Sequence, residues 1–225
     1  MTDNTNERFN EVILGKIREK FESHCIATLF SGYKLMKEAG EYRCAWEEEA
    51  LTANLVKHMK LSPQSTDWKL DITPEYHLYT HEITDGIKKA KKSPRIDIRI
   101  MNWSYREKME YFMEAKNLVE NDWRKPDGSI VSASYLRARY IDTGIDNFVT
   151  KRYPRGCLAG YALEGSVDNI VEGINRMLES NRRNRPKEIL KRDEPVHNHP
   201  HCFKSEHPVE NSSFMVLRHF FLNFN

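Results

Sequence analysis

The apolar positions along this chain change period several times, and each change marks a change of element. Phe9, Ile13, Ile17 and Phe21 recur every four residues, so residues 7–38 read as a helix that Ser31-Gly32 is expected to break or bend. Residues 41–60 read as a second helix with Leu51, Leu55 and Met59 on one face, closed by Ser62-Pro63-Gln64-Ser65. The period then shortens. Residues 76–83 are rich in aromatic and β-branched types, residues 95–100 alternate isoleucine with charge, and residues 111–118 follow after a connection short enough for an antiparallel neighbour. Pro126-Asp127-Gly128 signals a turn. Residues 132–150 return to a helical pattern weakened by Gly144, and residues 157–163 form a continuous apolar run expected of a buried strand. Ser166 is placed to cap a helix over residues 167–181, with Ile170, Ile174 and either Met177 or Leu178 turned inward. Residues 185–211 read as loop-rich, and the apolar tail over 214–222 must be covered by the core or by a partner.

This order predicts an α/β domain: from residue 41 onward, helix, three strands, helix, strand, helix. The 225 residues are most simply one domain, with a core over about 41–165, an N-terminal helical extension over 1–40 and a C-terminal extension over 166–225. A hydrophobic content of 39% with 11% aromatics suits a folded globule. No apolar run approaches the roughly 20 residues of a membrane span, and the polar start lacks a signal peptide, so a cytoplasmic location is expected. Cys25, Cys44, Cys157 and Cys202 are scattered and read as reduced thiols. The net charge of +2 hides two basic stretches. One runs through Lys88, Lys89, Lys91, Lys92, Arg95, Arg99, Arg106 and Lys108; the other through Arg176, Arg182, Arg183, Arg185, Lys187, Lys191 and Arg192. Such stretches suit a polyanion or simply a solvated face.

Chemistry concentrates on two of the strands. Residues i and i+2 of a strand share a face, so Glu114 and Lys116 project together, while Asp97 sits on the charged face of the preceding strand. If the strands pair, Asp97 and Glu114 approach within about 5–8 Å. Two carboxylates at that range repel unless a cation lies between them, and a hard divalent ion, Mg²⁺ or Mn²⁺, is the natural occupant. The Ala115 carbonyl is a candidate further ligand. Lys116 then stands ready to orient a water or to neutralise charge on an attacked phosphate. Glu48 shares the stripe of Leu51, Leu55 and Met59, where a carboxylate is costly without a partner. It is the expected third acidic group, with Glu49 as the alternative. The competing reading of Asp97, Glu114 and Lys116 is an ordinary cross-strand ion pair.

Pro94-Arg95-Ile96-Asp97, Glu114-Ala115-Lys116 and the acidic position at Glu48 together resemble the PD-(D/E)XK nuclease superfamily, the fold of many restriction enzymes. The resemblance covers about residues 41–165 and implies an αβββαβ core with a mixed central sheet flanked by helices. It also implies hydrolysis of phosphodiester bonds in nucleic acid, DNA more than RNA. Tyr140 to Phe148, Gly156 to Tyr161, Ser205-Glu206-His207 and Leu217 to Phe224 further resemble uncharacterised bacterial members associated with phage defence. The chain departs from their pattern at Asn147, where a basic residue is common, and at Pro208 after His207. A catalytically silent nucleic-acid-binding or assembly subunit of the same fold is the alternative.

Candidate nucleic-acid contacts are Arg95, Arg99, Arg137, Arg139, Lys151, Arg152 and His207, with Arg155 beside them. The cluster His197-Asn198-His199-Pro200-His201-Cys202 fits no common zinc spacing and reads as a polar loop. Trp46, Trp68, Trp103 and Trp123 are candidates for base stacking, though most of them suit core packing better. The apolar tail and N-terminal helix are compatible with a homo-oligomer or a protein partner.

Overall fold

The computed structural model describes residues 3–79, 85, 87, 93–103, 108–180, 188–194, 196–208 and 214–225, with side chains of the first helix from residue 12. Residues 80–83 of the first expected strand, Lys88, Lys89, Lys91, Lys92, Arg106, Arg182, Arg183, Arg185 and Lys187 lie outside the described residues.

A long helix α1 (Asp3–Ala39) is followed by α2 (Glu48–Leu61), the short α3 (Pro63–Asp67) and three strands, β1 (Asp71–His77), β2 (Arg95–Asn102) and β3 (Met109–Val119). A small hairpin, β4 (Trp123–Arg124) and β5 (Ile130–Val131), leads into α4 (Ala133–Arg139), a π-helical segment (Tyr140–Ile145) and α5 (Asp146–Val149). Then come β6 (Gly156–Glu164), α6 (Val167–Leu178), β7 (Lys191–Arg192), β8 (Cys202–Pro208) and β9 (Phe214–Asn223). The main strands form one mixed seven-stranded sheet in the order β1-β2-β3-β6-β9-β8-β7. β1, β2 and β3 are an antiparallel meander, and β6 lies parallel to both β3 and β9. A parallel neighbour requires a crossover, which residues 133–149 supply. Among the described residues no helix is long and apolar enough to cross a membrane.

Helices cover both faces. On one, Phe30 of α1 meets Phe220 edge-on at 5.3 Å and Thr52 of α2 hydrogen-bonds the Tyr161 hydroxyl at 3.0 Å. On the other, the π-helical segment rests on β6 and β9, with Gly144 against Leu158 and the Tyr140 hydroxyl against His219 Nδ1 at 2.8 Å. Leu51, Leu55 and Met59, the stripe of the second expected helix, are fully buried.

Several expectations need correcting. Ser31-Gly32 does not break α1. A Cβ on Gly32 would sit 2.5 Å from Met59 Cγ and 2.7 Å from Met59 N, so this glycine lets α1 and α2 pack closely. The second helix starts at Glu48, not near residue 41, after Gly40 at φ +63° has ended α1. The first strand ends at His77, where a strand had been expected to begin at Tyr76; Pro74 is tolerated because β1 is an edge. The C-terminal extension is not simply loop-rich: β8 falls within it. The strand is hard to see because polar Ser205 and His207 occupy inward positions that usually carry apolar residues. From Leu217 onward the apolar tail is largely covered by becoming an interior strand, β9, between β6 and β8, while Phe214 and Val216 stay exposed.

Candidate active site

β2 and β3 pair from Asn102↔Met109 to Ile98↔Met113, and there the ladder stops. β2 continues with β1 as far as Arg95↔His77, while β3 continues with β6. The two strands therefore fork. Beyond the fork the β3 backbone still presents donors toward its departed neighbour, and two carboxylates take them. The Ala115 N–H donates to Asp97 Oδ2 at 2.7 Å, and the Asn117 N–H donates to Glu48 Oε2 at 3.1 Å. Glu48 reaches the fork because it opens α2 on the stripe that Leu51, Leu55 and Met59 bury.

Glu114 and Lys116 share the inner face of the fork. The Lys116 ammonium lies 2.6 Å from the Ala115 carbonyl, 2.7 Å from Glu114 Oε1, 3.2 Å from Glu48 Oε1 and 3.7 Å from Asp97 Oδ2. Arg139 Nη2 approaches Glu48 Oε1 to 3.5 Å from the rim. Glu114 is only 4% exposed and Lys116 3%. Burial pushes the Glu114 carboxyl up to about 8, with Asp97 and Glu48 reinforcing it against the pull of Lys116. Burial works against the Lys116 charge, but its three carboxylate neighbours prevail and hold its pKa above the usual lysine value. Lys116 is therefore charged beside a Glu114 reluctant to ionise.

Three carboxylates thus face one buried ammonium and one half-exposed guanidinium, and Glu114 Oε2 is buried without a hydrogen-bond partner. Hard oxygens and an unsatisfied oxygen are what a divalent cation would answer. Yet among the described residues no group of three or more His, Cys, Asp or Glu side chains stands ready to ligate a metal, because these oxygens gather round the ammonium.

The other candidates divide by where they point. Glu49 pairs with Arg95 at 2.7 Å on the surface, outside the cluster, and Glu75 holds the same guanidinium at 3.3 Å. Arg99 is buried, bound to Glu110 at 2.6 Å and stacked over Tyr76 at 4.3 Å. Arg137 donates to the Glu120 carbonyl and packs against Gly173, so it fastens α4 to the end of β3. Lys151 and Arg152 are exposed on the turn between α5 and β6. Arg155 pairs with Glu22 at 2.6 Å. His207 is fully buried, its Nε2 at 2.7 Å from Ser205 Oγ, so its ring meets the interior and not a phosphate. In the histidine-rich loop, His199 is lowered to about 4 by burial and shares its Nε2 with the Phe221 carbonyl at 2.8 Å, a packing role. Trp68 stacks on His24 at 3.9 Å, whereas Trp103 is exposed.

Two features went unread in the sequence. Tyr153 is buried and donates its hydroxyl to the Arg95 carbonyl at 2.8 Å, tying the basic turn to β2 two residues before Asp97. Its N–H donates to the Asn147 carbonyl at 2.8 Å, so Asn147 anchors that turn. Second, Tyr140, His219, Ser205 and His207 form a hydrogen-bonded chain through the core, with steps of 2.8, 2.8 and 2.7 Å. The alternation of Ser205 and His207 was its one sequence signal. No protein-family model matches the chain, and no curated protein or solved structure matches it either.

Proposed function

We propose that this chain is a metal-dependent phosphodiesterase acting on nucleic acid, DNA in preference to RNA. One observation carries the reading: Glu48, Asp97, Glu114 and the Ala115 carbonyl converge where β2 and β3 fork, around the Lys116 ammonium. The order α2, β1, β2, β3, crossover helix, β6 supports taking this half of the sheet as a restriction-endonuclease-like core.

Asp97, Glu114, Glu48 and the Ala115 carbonyl are the groups that would hold Mg²⁺ or Mn²⁺. Such an ion supplies Lewis acidity at the phosphate and eases deprotonation of a water. The protein's own contribution is positional and electrostatic. Asp97 and Glu48 are pinned by backbone N–H groups, so their oxygens are fixed before any ligand arrives. Among the described residues Lys116 is the only ammonium at these carboxylates, and it neutralises charge that builds on an attacked phosphate. Arg139 at the rim offers a second cation to the same phosphate.

Purified protein is expected to cut DNA, offered in single-stranded and duplex form, with Mg²⁺ or Mn²⁺, and Lys116→Met to lower the rate by at least about 10²–10³-fold. Circular dichroism under the assay conditions confirms that the variant is folded. Full activity in Lys116→Met rejects the assignment. Binding of Mn²⁺, read by electron paramagnetic resonance, is expected to be lost in Asp97→Asn. The enclosure of the ammonium among the carboxylates also favours a second reading, a silent nucleic-acid-binding subunit. That protein would bind DNA with steep salt dependence and neither bind Mn²⁺ nor cut.

A further inference from the structure

The strand face that carries Glu114 also carries Phe112, one same-face step or about 6–7 Å away. Phe112 lines a cavity of ≈ 440 Å³ between Tyr76, Leu78 and Tyr79 on one side and Lys151, Arg152 and Pro154 on the other, a size within the range of small-molecule sites; Glu110, also in its lining, is paired with Arg99 and Lys108. Its aromatic wall is built at a backbone cost. Glu75 takes a left-handed conformation, φ +49°, that non-glycine residues adopt rarely and that breaks the alternation of β1. Beyond it the Tyr76 ring lies under the Arg99 guanidinium at 4.3 Å and 6.3 Å from the Phe112 ring. Tyr79 stays 60% exposed beside them. The opposite wall is basic and fixed in place: Lys151, also left-handed at φ +58°, and Arg152 are exposed on the turn that Tyr153 ties to Arg95.

Resting on the phosphodiesterase reading, we infer that this cleft takes an unpaired nucleobase next to the scissile phosphate, and that the substrate class is single-stranded nucleic acid. Within a duplex each base face is already stacked on its neighbours. Only an unpaired base offers a free face to Tyr79 while its flanking phosphates meet Lys151 and Arg152.

The test measures binding of the full chain, in EDTA, to a fluorescent single-stranded oligonucleotide and to a blunt duplex of the same sequence. Tyr79→Ala changes a solvent-facing side chain outside the carboxylate cluster. It is expected to weaken single-strand binding by about 5- to 150-fold and duplex binding by under about twofold, with Tyr79→Trp restoring the former. Equal losses on both ligands, no loss on the single strand, or no single-strand binding by the unaltered protein overturns the inference. Because the readout is binding, the two claims separate. Tyr79-dependent single-strand binding without metal-dependent cleavage upholds the cleft and defeats the hydrolytic reading. Cleavage with strand preference indifferent to Tyr79 does the reverse.

Discussion

Replacing Glu114 with glutamine should change how stability depends on pH more than stability itself. The Glu114 carboxyl is pushed up from 4.5 to about 8, chiefly by burial. Between those values the folded chain keeps a proton that the unfolded chain releases. The stabilisation is therefore complete below about pH 4.5, declines as pH rises, and is gone above about 8. At 1.36 kcal/mol per unit, the interval has a ceiling of about 5 kcal/mol. Glu114→Gln abolishes that titration, while its side-chain oxygen still accepts from Lys116. Histidine titrations of the opposite sign overlap this window. His219, lowered to about 3 by burial, stabilises fully above pH 6.5, and its contribution is lost as pH falls toward 3. The difference between wild type and variant cancels that slope. Urea unfolding in EDTA, at constant ionic strength from pH 5 to 8.5, should show the wild type losing several kcal/mol, up to that ceiling, relative to Glu114→Gln. Parallel profiles within about 0.5 kcal/mol, the scatter of neutral surface changes, would refute the desolvated carboxyl. Mg²⁺ at a hundred times its Kd should then return about 2.7 kcal/mol to the wild type at pH 8.5. A correct pH profile with no response to Mg²⁺ would leave an ion cluster that is only structural.

Tyr140→Phe removes the hydroxyl shared with His219 Nδ1 and leaves that nitrogen unsatisfied in a dry core, a cost of about 1–3 kcal/mol in urea unfolding; an unchanged midpoint would show that water replaces it. Gly156→Ala should destabilise by about 1–3 kcal/mol or more, because its Cβ would lie 2.0 Å from the Phe112 carbonyl oxygen, which belongs to the sheet backbone. Gly144→Ala should cost less, since the atom it meets first, at 2.5 Å, is the end of the movable Leu158 side chain; the reverse ranking in thermal melts would contradict this account.

How much could be read in advance depended on whether a residue's surroundings repeat its local pattern. β2 and β3 were legible because isoleucine alternates with charge in one and the Glu-Ala-Lys triplet fixes phase in the other. The structure gathers Asp97, Glu114 and Lys116 in one place, as those two phases implied, with Glu48 beside them. The phase of α2 separated Glu48 from Glu49 for the same reason. Cations were less readable, since nothing local distinguishes Arg99, drawn inward by Glu110 and Tyr76, from Arg152 on the surface. β8 escaped because two of its four buried positions are filled by Ser205 and His207, which satisfy each other and His219. Polar residues that find partners across 14 residues of sequence leave no apolar period to detect.

The fork also bears on why the charges are there at all. A buried ion pair is weak grounds for stability, since apolar residues of similar volume are often as stable or more so. A purely structural solution at this position would need only to cap the Ala115 and Asn117 N–H groups, which Asp97 and Glu48 already do. Glu114 adds a third carboxylate that caps no backbone donor, resists ionisation and leaves Oε2 unsatisfied. Lys116, itself buried, partly compensates it while also facing Glu48 and Asp97. The pair thus creates the problem it partly solves. Under the proposed function, such an arrangement is kept for what it does to a ligand, a cation accompanied by a phosphate.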